Sequence, residues 1–275
     1  MRILVSNDDG IDSVGLHVLA RAMQELGDVV VAAPDTEYSG ASTAVGALHL
    51  MRPEIHRAQI DGVNEAWAVT GPPALCVMFS RLEAFGPPFD LVVAGINPGA
   101  NVGRSIYHSG TVGAALTARL GGITGVAVSQ DVSMGSIEGQ AWDDMIADMR
   151  WDSAAAVATE VVRTIIAAPP AEPSLLNVNV PNLPVSQIKG WKHTELSAIP
   201  GRSFGGVTLE PKIGHEGAFR LQMSWGTPNE LPDHTDAGAV AAGYVSLTWL
   251  SKIVPVEAQA PGVAVALDAF LGTAG

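Results

Sequence analysis

The chain has little positive charge and almost no cysteine. Lys and Arg number 15 against 28 Asp and Glu, which gives a formal net charge of −13. No basic run interleaves with aromatic residues, so we expect no binding of nucleic acid polymers. An anionic ligand must then be met by a local device, such as a metal ion or a helix N-terminus. The single cysteine, Cys76, excludes an internal disulfide and fits a reducing compartment.

Long hydrophobic runs are also missing. No uncharged apolar run reaches the 18 residues of a membrane span, and no signal-peptide core follows Arg2. We therefore expect a cytoplasmic protein that does not enter a membrane. The P-loop motif G-x-x-x-x-G-K-[ST] and the zincin motif H-E-x-x-H are absent too. The overall composition, with 47% hydrophobic and 16% charged residues, is typical of a globular chain with a sizeable core.

Short apolar runs rich in β-branched residues alternate with stretches in which apolar residues recur every three or four positions. The first pattern predicts buried strands and the second predicts surface helices. Their alternation forms βαβ units, so we predict an α/β fold with a mostly parallel sheet. The predicted strands are residues 3–5, 29–33, 66–70, 89–94, 125–129 and 175–180, and the predicted helices are 16–26, 71–82, 112–120 and 154–167.

Two segments depart from this alternation. Residues 48–60 resemble hairpin material, with a turn at Asp61-Gly62. After Pro181, helical periodicity disappears over residues 188–250, where Gly, Pro and Trp interrupt short β-like runs. We predict one domain, 1–275, consisting of a core (1–185), a β-rich arm (186–250) and a C-terminal helical tail (251–275) with its helix at 263–271.

Two adjacent carboxylates, Asp8 and Asp9, follow the first predicted strand. Gly10 allows the backbone to turn there, and ligands of open α/β sheets bind at loops that leave the carboxyl ends of strands. Neighbouring carboxylates repel each other and ionise most easily beside a cation. The alternative is an Asx turn that leads into a helix capped by Asp12 or Ser13.

Loops after two other predicted strands reach the same edge of the sheet. They bring Ser39 and Asn97 towards the acidic pair. Two carboxylates, a hydroxyl and an amide carbonyl are hard oxygen ligands, which suit Mg²⁺, Mn²⁺ or Ca²⁺ rather than zinc or copper. Such a site keeps positions open for water and a phosphate oxygen. Alternatively, Ser39 is an ordinary surface serine, and Asn97 and Asn101 are loop asparagines that tolerate a left-handed backbone.

A predicted helix begins at Ser109, Gly110 and Thr111, beside the acidic pair. Its first N–H groups, its dipole and two hydroxyls could bind an anion such as phosphate. The alternative is an ordinary N-cap. His108 is the one histidine placed to contact a substrate, as an acid or a phosphate donor, and its alternative is a partly exposed loop residue.

Six stretches resemble the SurE family, the stationary-phase survival proteins that are metal-dependent nucleoside monophosphate phosphatases. They cover nearly the whole chain in order, and they are VSNDDGI at 5–11, YSG at 38–40, GINPGAN at 95–101, SGTVGAA at 109–115, NVNVP at 177–181 and GYVSLT at 243–248. The resemblance implies a Rossmann-like three-layer core and hydrolysis of 5′- and 3′-nucleotides, as in a 5′-nucleotidase or acid-phosphatase-type phosphoric monoester hydrolase. It also implies a homodimer or homotetramer, formed by exchanged C-terminal segments or packed hairpin arms.

The resemblance also implies roles for individual residues. Asp8 and Asp9 would be catalytic. The implied ligands of a divalent cation, Mg²⁺ or Mn²⁺, are Asp8, Asp9, Ser39 and Asn97. The implied phosphate- or substrate-binding residues are Asn7, Gly40, Asn101, His108, Ser109, Gly110 and Thr111. Four positions differ from the family pattern, and they are Pro72, Leu75, His108 and Trp249, where the family usually has Thr, Asp, Tyr and Pro.

Two alternative functions stay open. A receiver-type signalling module also has an acidic pair after its first strand, but it needs a phosphoacceptor Asp at a later strand end, where this chain has Asn97. A metal-binding oligomeric paralogue without phosphatase activity is compatible with the four departures. Base preference, the choice between 5′ and 3′ esters, and the choice between water and aspartate as nucleophile do not follow from the sequence.

Overall fold

The computed structural model of the chain describes residues 1–46, 50, 52–132, 146–251, 263 and 266. The strands are β1 (Arg2–Ser6), β2 (Asp28–Pro34), β3 (Ile55–Ile60), β4 (Val63–Val69), β5 (Leu91–Pro98), β6 (Thr124–Gln130), β7 (Leu175–Val180), β8 (Trp191–His193), β9 (Arg202–Pro211), β10 (Phe219–Pro228) and β11 (Val245–Leu250). The helices are α1 (Val14–Met23), α2 (Pro73–Arg81), α3 (Gly110–Leu120), α4 (Trp151–Ala167) and α5 (Asp236–Ala241).

The main sheet is mostly parallel, as predicted. Within the described residues it has nine strands, in the order β3-β4-β2-β1-β5-β6-β7-β11-β8. The six strands from β4 to β7 run parallel to one another, whereas β3 is antiparallel to β4 and β11 is antiparallel to β7. The hairpin predicted around Asp61-Gly62 is confirmed as β3–β4.

Helices cover both faces of the sheet and give three layers. Ile3 and Val5 of β1 pack in a cluster with residues of α1 and α4, and Leu4 packs on the other face with residues of α2 and α3. Successive side chains of a strand point to opposite faces, so a strand covered on both faces is apolar throughout. The Rossmann-like architecture is therefore confirmed, and it follows from the continuous apolar runs.

The order of the strands reverses at β1. The chain moves from β1 to β2 on one side, and β5 pairs with β1 on the other side. The loops that leave β1 and β5 therefore separate and open a crevice at the carboxyl edge of the sheet. Ligands of open α/β sheets bind at this kind of switch point.

The region after residue 186 has more helix and more core structure than its sequence pattern indicates. Strands β8 and β11 join the main sheet, so they belong to the core and not to the predicted arm at 186–250. Strands β9 and β10 form a separate antiparallel hairpin, and from here on the arm means this hairpin. Helix α5 was not predicted. It has six small residues after the N-cap Thr235, which is too short for an apolar stripe to recur.

Two predicted features fall outside the described part of the chain. The terminal helix at 263–271 is described only at residues 263 and 266, and most of the tail 251–275 is likewise not described. Among the described helices, none has both the length and the hydropathy that crossing a bilayer requires.

Candidate metal and phosphate site

Asn7 shapes the turn that follows β1. Its side-chain amide donates to the Gly10 carbonyl at 3.0 Å and to Ser13 Oγ at 2.6 Å. Ser13 in turn caps α1 by accepting from the Leu16 N–H. The predicted Ser13 cap is therefore present, whereas the Asn7 side chain stabilises the turn as a donor and does not form an Asx turn, because its Oδ1 accepts no hydrogen bond among the described residues.

Asp8 connects three segments of the chain. Its Oδ2 accepts from the Gly110 N–H at 3.0 Å, and its Oδ1 accepts from the Thr111 hydroxyl at 2.5 Å. Its backbone carbonyl accepts from the Tyr38 N–H at 2.7 Å. The side chain is buried, with 3% of the residue exposed. The position of this carboxylate is thus fixed by the loop after β2 and by the start of α3.

Gly110 is the residue that lets α3 approach so closely. A Cβ added at this position would lie 2.6 Å from the Asp8 Cβ and 2.7 Å from its Oδ2. The partial positive charge at a helix N-terminus favours a carboxylate there. The donors that the sequence assigned to a phosphate are therefore directed in part at Asp8.

Thr111 links Asp8 to Asn97. The Thr111 hydroxyl, fully buried, is 2.5 Å from Asp8 Oδ1 and 3.3 Å from Asn97 Oδ1. Asn97 donates its amide N–H to the Gly99 carbonyl at 2.7 Å, which leaves its carbonyl oxygen facing Thr111. One carboxylate and one amide oxygen thus meet at the crevice, as hard oxygen ligands of a cation would.

Asp9 lies beside this pair with an unsatisfied oxygen. Its buried Oδ2 has no hydrogen-bond partner among the described residues. Burial, followed by the negative charges of Asp8 and Glu37, raises the pKa of Asp9 to about 8. Burial also raises the pKa of Asp8, against the hydrogen bonds from Thr111 and Gly110. Two crowded carboxyls that resist ionisation are what a bound cation would stabilise as carboxylates.

The donor set fits a hard divalent cation. In the part of the chain that the structure describes, no three His, Cys, Asp or Glu side chains cluster as a metal site. The candidate set instead combines two carboxylates with the neutral oxygens of Asn97 and Ser39. An oxygen-only set with an orphaned carboxylate oxygen suits Mg²⁺ or Mn²⁺ and does not suit zinc.

Ser39 lies in an exposed turn next to Asp8. The turn is anchored on one side by the bond from Tyr38 N–H to the Asp8 carbonyl and on the other by Ser42 N–H, which donates to the His108 carbonyl at 3.1 Å. Gly40, with φ of +83° and open space around its Cα, lies at the tip. The structure thus brings the Ser39 turn to the same edge as Asp8.

Ser109 and His108 differ in their surroundings. Ser109 is buried, and its Oγ accepts from the Val112 N–H at 3.1 Å, so it is the N-cap of α3. Its hydroxyl proton can still be donated to a ligand. The His108 side chain is exposed at the rim of the crevice, and its backbone carbonyl holds the Ser39 turn.

Asn101 is bound within the scaffold. Its backbone N–H donates to Asn179 Oδ1 at 2.8 Å, and its side-chain amide donates to Ser129 Oγ at 2.9 Å. Its carbonyl accepts from the side chains of Asn177 and Asn179. These bonds fix the loop that carries Asn97. They leave the amide nitrogen of Asn101 directed at Ser129 rather than at the carboxylates.

Sequence reasoning missed two sets of residues that contribute to the candidate site. Asn177 and Asn179 are fully buried polar residues on a strand, and such residues usually have specific partners, which was an available signal. Glu37 adds a third negative charge near Asp9, and it stands only two residues before Ser39. Both contributions depend on contacts between distant loops.

Two of the departures from the family pattern concern packing. Leu75 is fully buried in α2, and a Cβ on Gly71 would lie 2.5 Å from its Cδ2. Pro72 is the residue before the first turn of α2. Both side chains are hydrocarbon, so neither can hydrogen-bond to the acidic pair or to a phosphate. Trp249 lies half-exposed on β11, away from the loops that carry Asp8 and Asn97.

Known proteins similar to this chain share a family name. The family model described as Survival protein SurE matches residues 3–200. Two proteins of Dehalococcoides mccartyi, strains CBDB1 and ATCC BAA-2100, are both named 5′-nucleotidase SurE. They are 38% and 39% identical to the chain over 256 residues, which is 92% of this chain and 89% of each relative.

A solved structure has the same fold. The crystal structure of a SurE protein from Aquifex aeolicus matches with a TM-score of 0.75 at 28% sequence identity. The match covers 98% of this chain and 100% of that one. The likeness therefore extends beyond the Rossmann-like core into the region of the arm.

Proposed function

This chain belongs to the SurE family, and on that premise we propose that it is a metal-dependent phosphomonoesterase. Its substrates would be nucleoside 5′-monophosphates, and also 3′-monophosphates, which it hydrolyses to nucleoside and phosphate. The name 5′-nucleotidase carried by two relatives supports the first substrate class. The proposal depends chiefly on one observation at the switch point of the sheet, where the buried Asp8 stands next to Asp9, whose Oδ2 is buried and has no hydrogen-bond partner among the described residues.

We propose Asp8, Asp9, Ser39 and Asn97 as the ligands of a divalent cation, Mg²⁺ or Mn²⁺. When bound, such a cation supplies positive charge that polarises a phosphoryl oxygen and acidifies water. Gly110 and Thr111 hold the Asp8 carboxylate in one orientation through two hydrogen bonds. Asp9 must lose its proton to act as a ligand, because a protonated carboxyl has no charge to offer.

The start of α3 and the neighbouring turns would hold the phosphate. Ser109 keeps a hydroxyl proton to donate, and Gly40, in the turn that carries Ser39, has open space around the position of a Cβ. Thr111 and Gly110 donate to the Asp8 carboxylate, so they would contribute to the site by orienting that side chain. Asn7 and Asn101 support the site by fixing the loops that follow β1 and β5.

Proton transfers would fall to the groups at the rim. His108 is exposed next to Ser109 and can donate a proton to the oxygen of the departing nucleoside. The nucleophile is either a water molecule, with Asp9 as its base, or the Asp9 carboxylate itself. Both routes require Asp9 to be ionised, so both predict loss of turnover when its charge is removed.

We further propose that the protein is a homodimer or homotetramer in which the arm takes part. In the register of β9 and β10, Leu209 pairs with Leu221 and Val207 pairs with Met223. All four side chains are exposed, with Leu209 at 63% and Leu221 at 61%. A two-stranded hairpin with one bare apolar face is marginally stable alone, and a second copy would cover it.

The test is phosphate release from a panel of 5′- and 3′-nucleoside monophosphates. The protein would be assayed with Mg²⁺, with Mn²⁺, with EDTA, and with metal restored after EDTA. We expect release that requires metal and returns on its addition. Folded protein that binds metal but hydrolyses no ester would identify a non-catalytic paralogue. Stable phosphorylation by acetyl phosphate without turnover would identify a receiver-type module.

A further inference from the structure

A cavity of about 530 Å³ opens between the loop after β5 and the base of the arm. Its volume is in the range of small-molecule sites. Its walls come from the loop after β5, from the end of β6, from α5 and from the base of the arm. Most of the lining side chains are small and apolar, such as Ala100, Val102 and Val240. Asp131, at the end of β6, is the lining carboxylate.

The register of the sheet places Asp131, which lines the cavity, at a distance from Asn97 that a nucleoside could span. Asn97 pairs with Ser129 across β5 and β6, and the ladder continues with Gly99 N–H donating to the Gln130 carbonyl at 2.7 Å. Neighbouring strands lie ~4.8 Å apart and rise ~3.3 Å per residue, which places the Asp131 Cα about 8 Å from the Asn97 Cα. A ribose and base attached to a phosphate near Asn97 extend over a comparable distance.

Asp131 is a carboxylate without a basic partner. Its backbone N–H donates to the Val180 carbonyl at 2.8 Å, which anchors the residue, and no ion pair with it occurs among the described residues. Burial raises the pKa of Asp131 to about 6, so the group is mostly ionised at neutral pH. A desolvated carboxylate of this kind gains from any ligand that offers N–H donors.

Asn229, the other polar side chain of the wall, is engaged elsewhere. Its amide nitrogen donates to the Pro200 carbonyl at 2.8 Å. The cavity therefore presents apolar contact surface and one carboxylate acceptor. A planar base would lie against the alanines and valines while its edge meets Asp131.

We propose that this cavity binds the base of the nucleotide and that Asp131 selects guanine. Guanine presents two adjacent donors, N1–H and the exocyclic N2–H, which match the two oxygens of one carboxylate. Adenine presents an acceptor, N1, at the equivalent edge and would oppose a carboxylate oxygen there. This inference rests on the proposed nucleotidase function, and it makes GMP the preferred monophosphate.

The test compares kcat/KM for GMP, AMP and ribose 5-phosphate. The last of these has no base, so it reports the contributions of the phosphate and the ribose without that of the base. Wild type would be measured beside Asp131→Asn and beside Asp61→Asn, a matched control in an exposed turn. We expect wild type to prefer GMP over AMP by roughly tenfold, because a bidentate pair discriminates between bases by that order.

In Asp131→Asn, kcat/KM for GMP should fall about tenfold, mainly through KM, and far more than for ribose 5-phosphate. Asp61→Asn should behave as wild type. Equal losses on all three substrates would show a structural role for Asp131 and overturn the inference. An unchanged ratio of GMP to AMP in Asp131→Asn would overturn it as well.

A binding measurement separates this inference from the proposed function. Calorimetric titration with guanosine and adenosine needs no turnover, so it remains informative if no ester is hydrolysed. Stronger binding of guanosine that is lost in Asp131→Asn would support the base pocket even in an inactive protein. Absence of binding, or equal binding of both nucleosides, would overturn it while leaving the phosphatase proposal to its own assay.

Discussion

The backbone N–H of Gly110 donates a hydrogen bond of 3.0 Å to the Asp8 carboxylate, although 102 positions separate the two residues. The contact joins the loop after β1 to the first turn of α3. It places a helix N-terminus against a buried negative charge, which the helix dipole stabilises. The orientation of the first candidate metal ligand is therefore set by a helix that begins in the second quarter of the chain.

Gly110→Ala should disrupt that arrangement without unfolding the protein. The added Cβ would lie 2.6 Å from the Asp8 Cβ, so the carboxylate or the helix must move, whereas alanine itself favours the helix. We expect Mn²⁺ affinity, measured by calorimetry, to fall about tenfold or more. Gly206→Ala is the control, since its Cβ would meet only Ser224 Oγ at 3.7 Å. Equal affinities for wild type and Gly110→Ala would contradict this account.

Thr111→Val should lower turnover by removing the hydroxyl between Asp8 and Asn97. The two side chains are similar in shape, so packing is largely kept. A hydrogen bond to a charged group contributes roughly 1.5–3 kcal/mol, which corresponds to about tenfold or more in kcat/KM. Thr111→Ser retains the hydroxyl and should recover most of the activity. If serine and valine variants are equally impaired, the methyl group matters and the hydrogen bond does not.

The metal-free protein should lose stability as the pH rises from about 4 to about 8. The pKa of Asp9 is raised to about 8 in the folded protein, whereas an unfolded aspartate titrates at about 3.9. Between these values the folded state keeps a proton that the unfolded state has released. The protein therefore takes up a proton when it folds in this pH range, and the free energy of unfolding decreases as the pH rises.

Asp9→Asn provides the comparison for this pH dependence. Asparagine does not titrate, so the free energy of unfolding in EDTA should fall less steeply over the same range. Urea unfolding followed by circular dichroism at a series of pH values measures both slopes. Parallel slopes for wild type and variant would show that Asp9 has no raised pKa in solution.

The paired substitution Leu209→Ser with Leu221→Ser should reduce the size of the assembly. These two residues face each other across the arm and are both exposed. Light scattering should show a smaller molar mass for this variant than for wild type. Thr208→Ser with Gln222→Ser, a pair on the opposite face of the same hairpin, should leave the mass unchanged. An unaltered mass for the leucine variant would exclude the arm from the interface.

The layers of the fold follow from local sequence pattern. β1 is a continuous apolar run because both faces of a central parallel strand are covered, and its carboxyl end places Asp8 at the ligand-binding edge. Helix α5 does not follow from local sequence pattern. One of its six residues is Asp236, whose buried carboxylate accepts from the N–H groups of Gly103 and Ser197. No short-range periodicity in the sequence predicts these hydrogen bonds.

The sequence predicts which residues form the candidate site better than it predicts the contacts between them. Parallel strands bring their loops to one edge, so the grouping of Asp8, Ser39 and Asn97 follows from topology. The bonds from Gly110 and Thr111 to Asp8 do not, because they depend on how α3 packs against a loop a hundred residues earlier. For the same reason, the family resemblance implied a substrate-binding role for Asn101, whereas its backbone N–H and side-chain amide donate to Asn179 and Ser129.

The most direct test of the central claim is turnover of a nucleoside 5′-monophosphate by wild type and by Asp9→Asn at saturating Mn²⁺. Asparagine preserves the size of the side chain and removes its charge, and circular dichroism confirms that each protein is folded. We predict metal-dependent phosphate release by wild type and a loss of at least about a hundredfold in the variant. Undiminished release by folded Asp9→Asn would contradict a catalytic metal site built on Asp8 and Asp9.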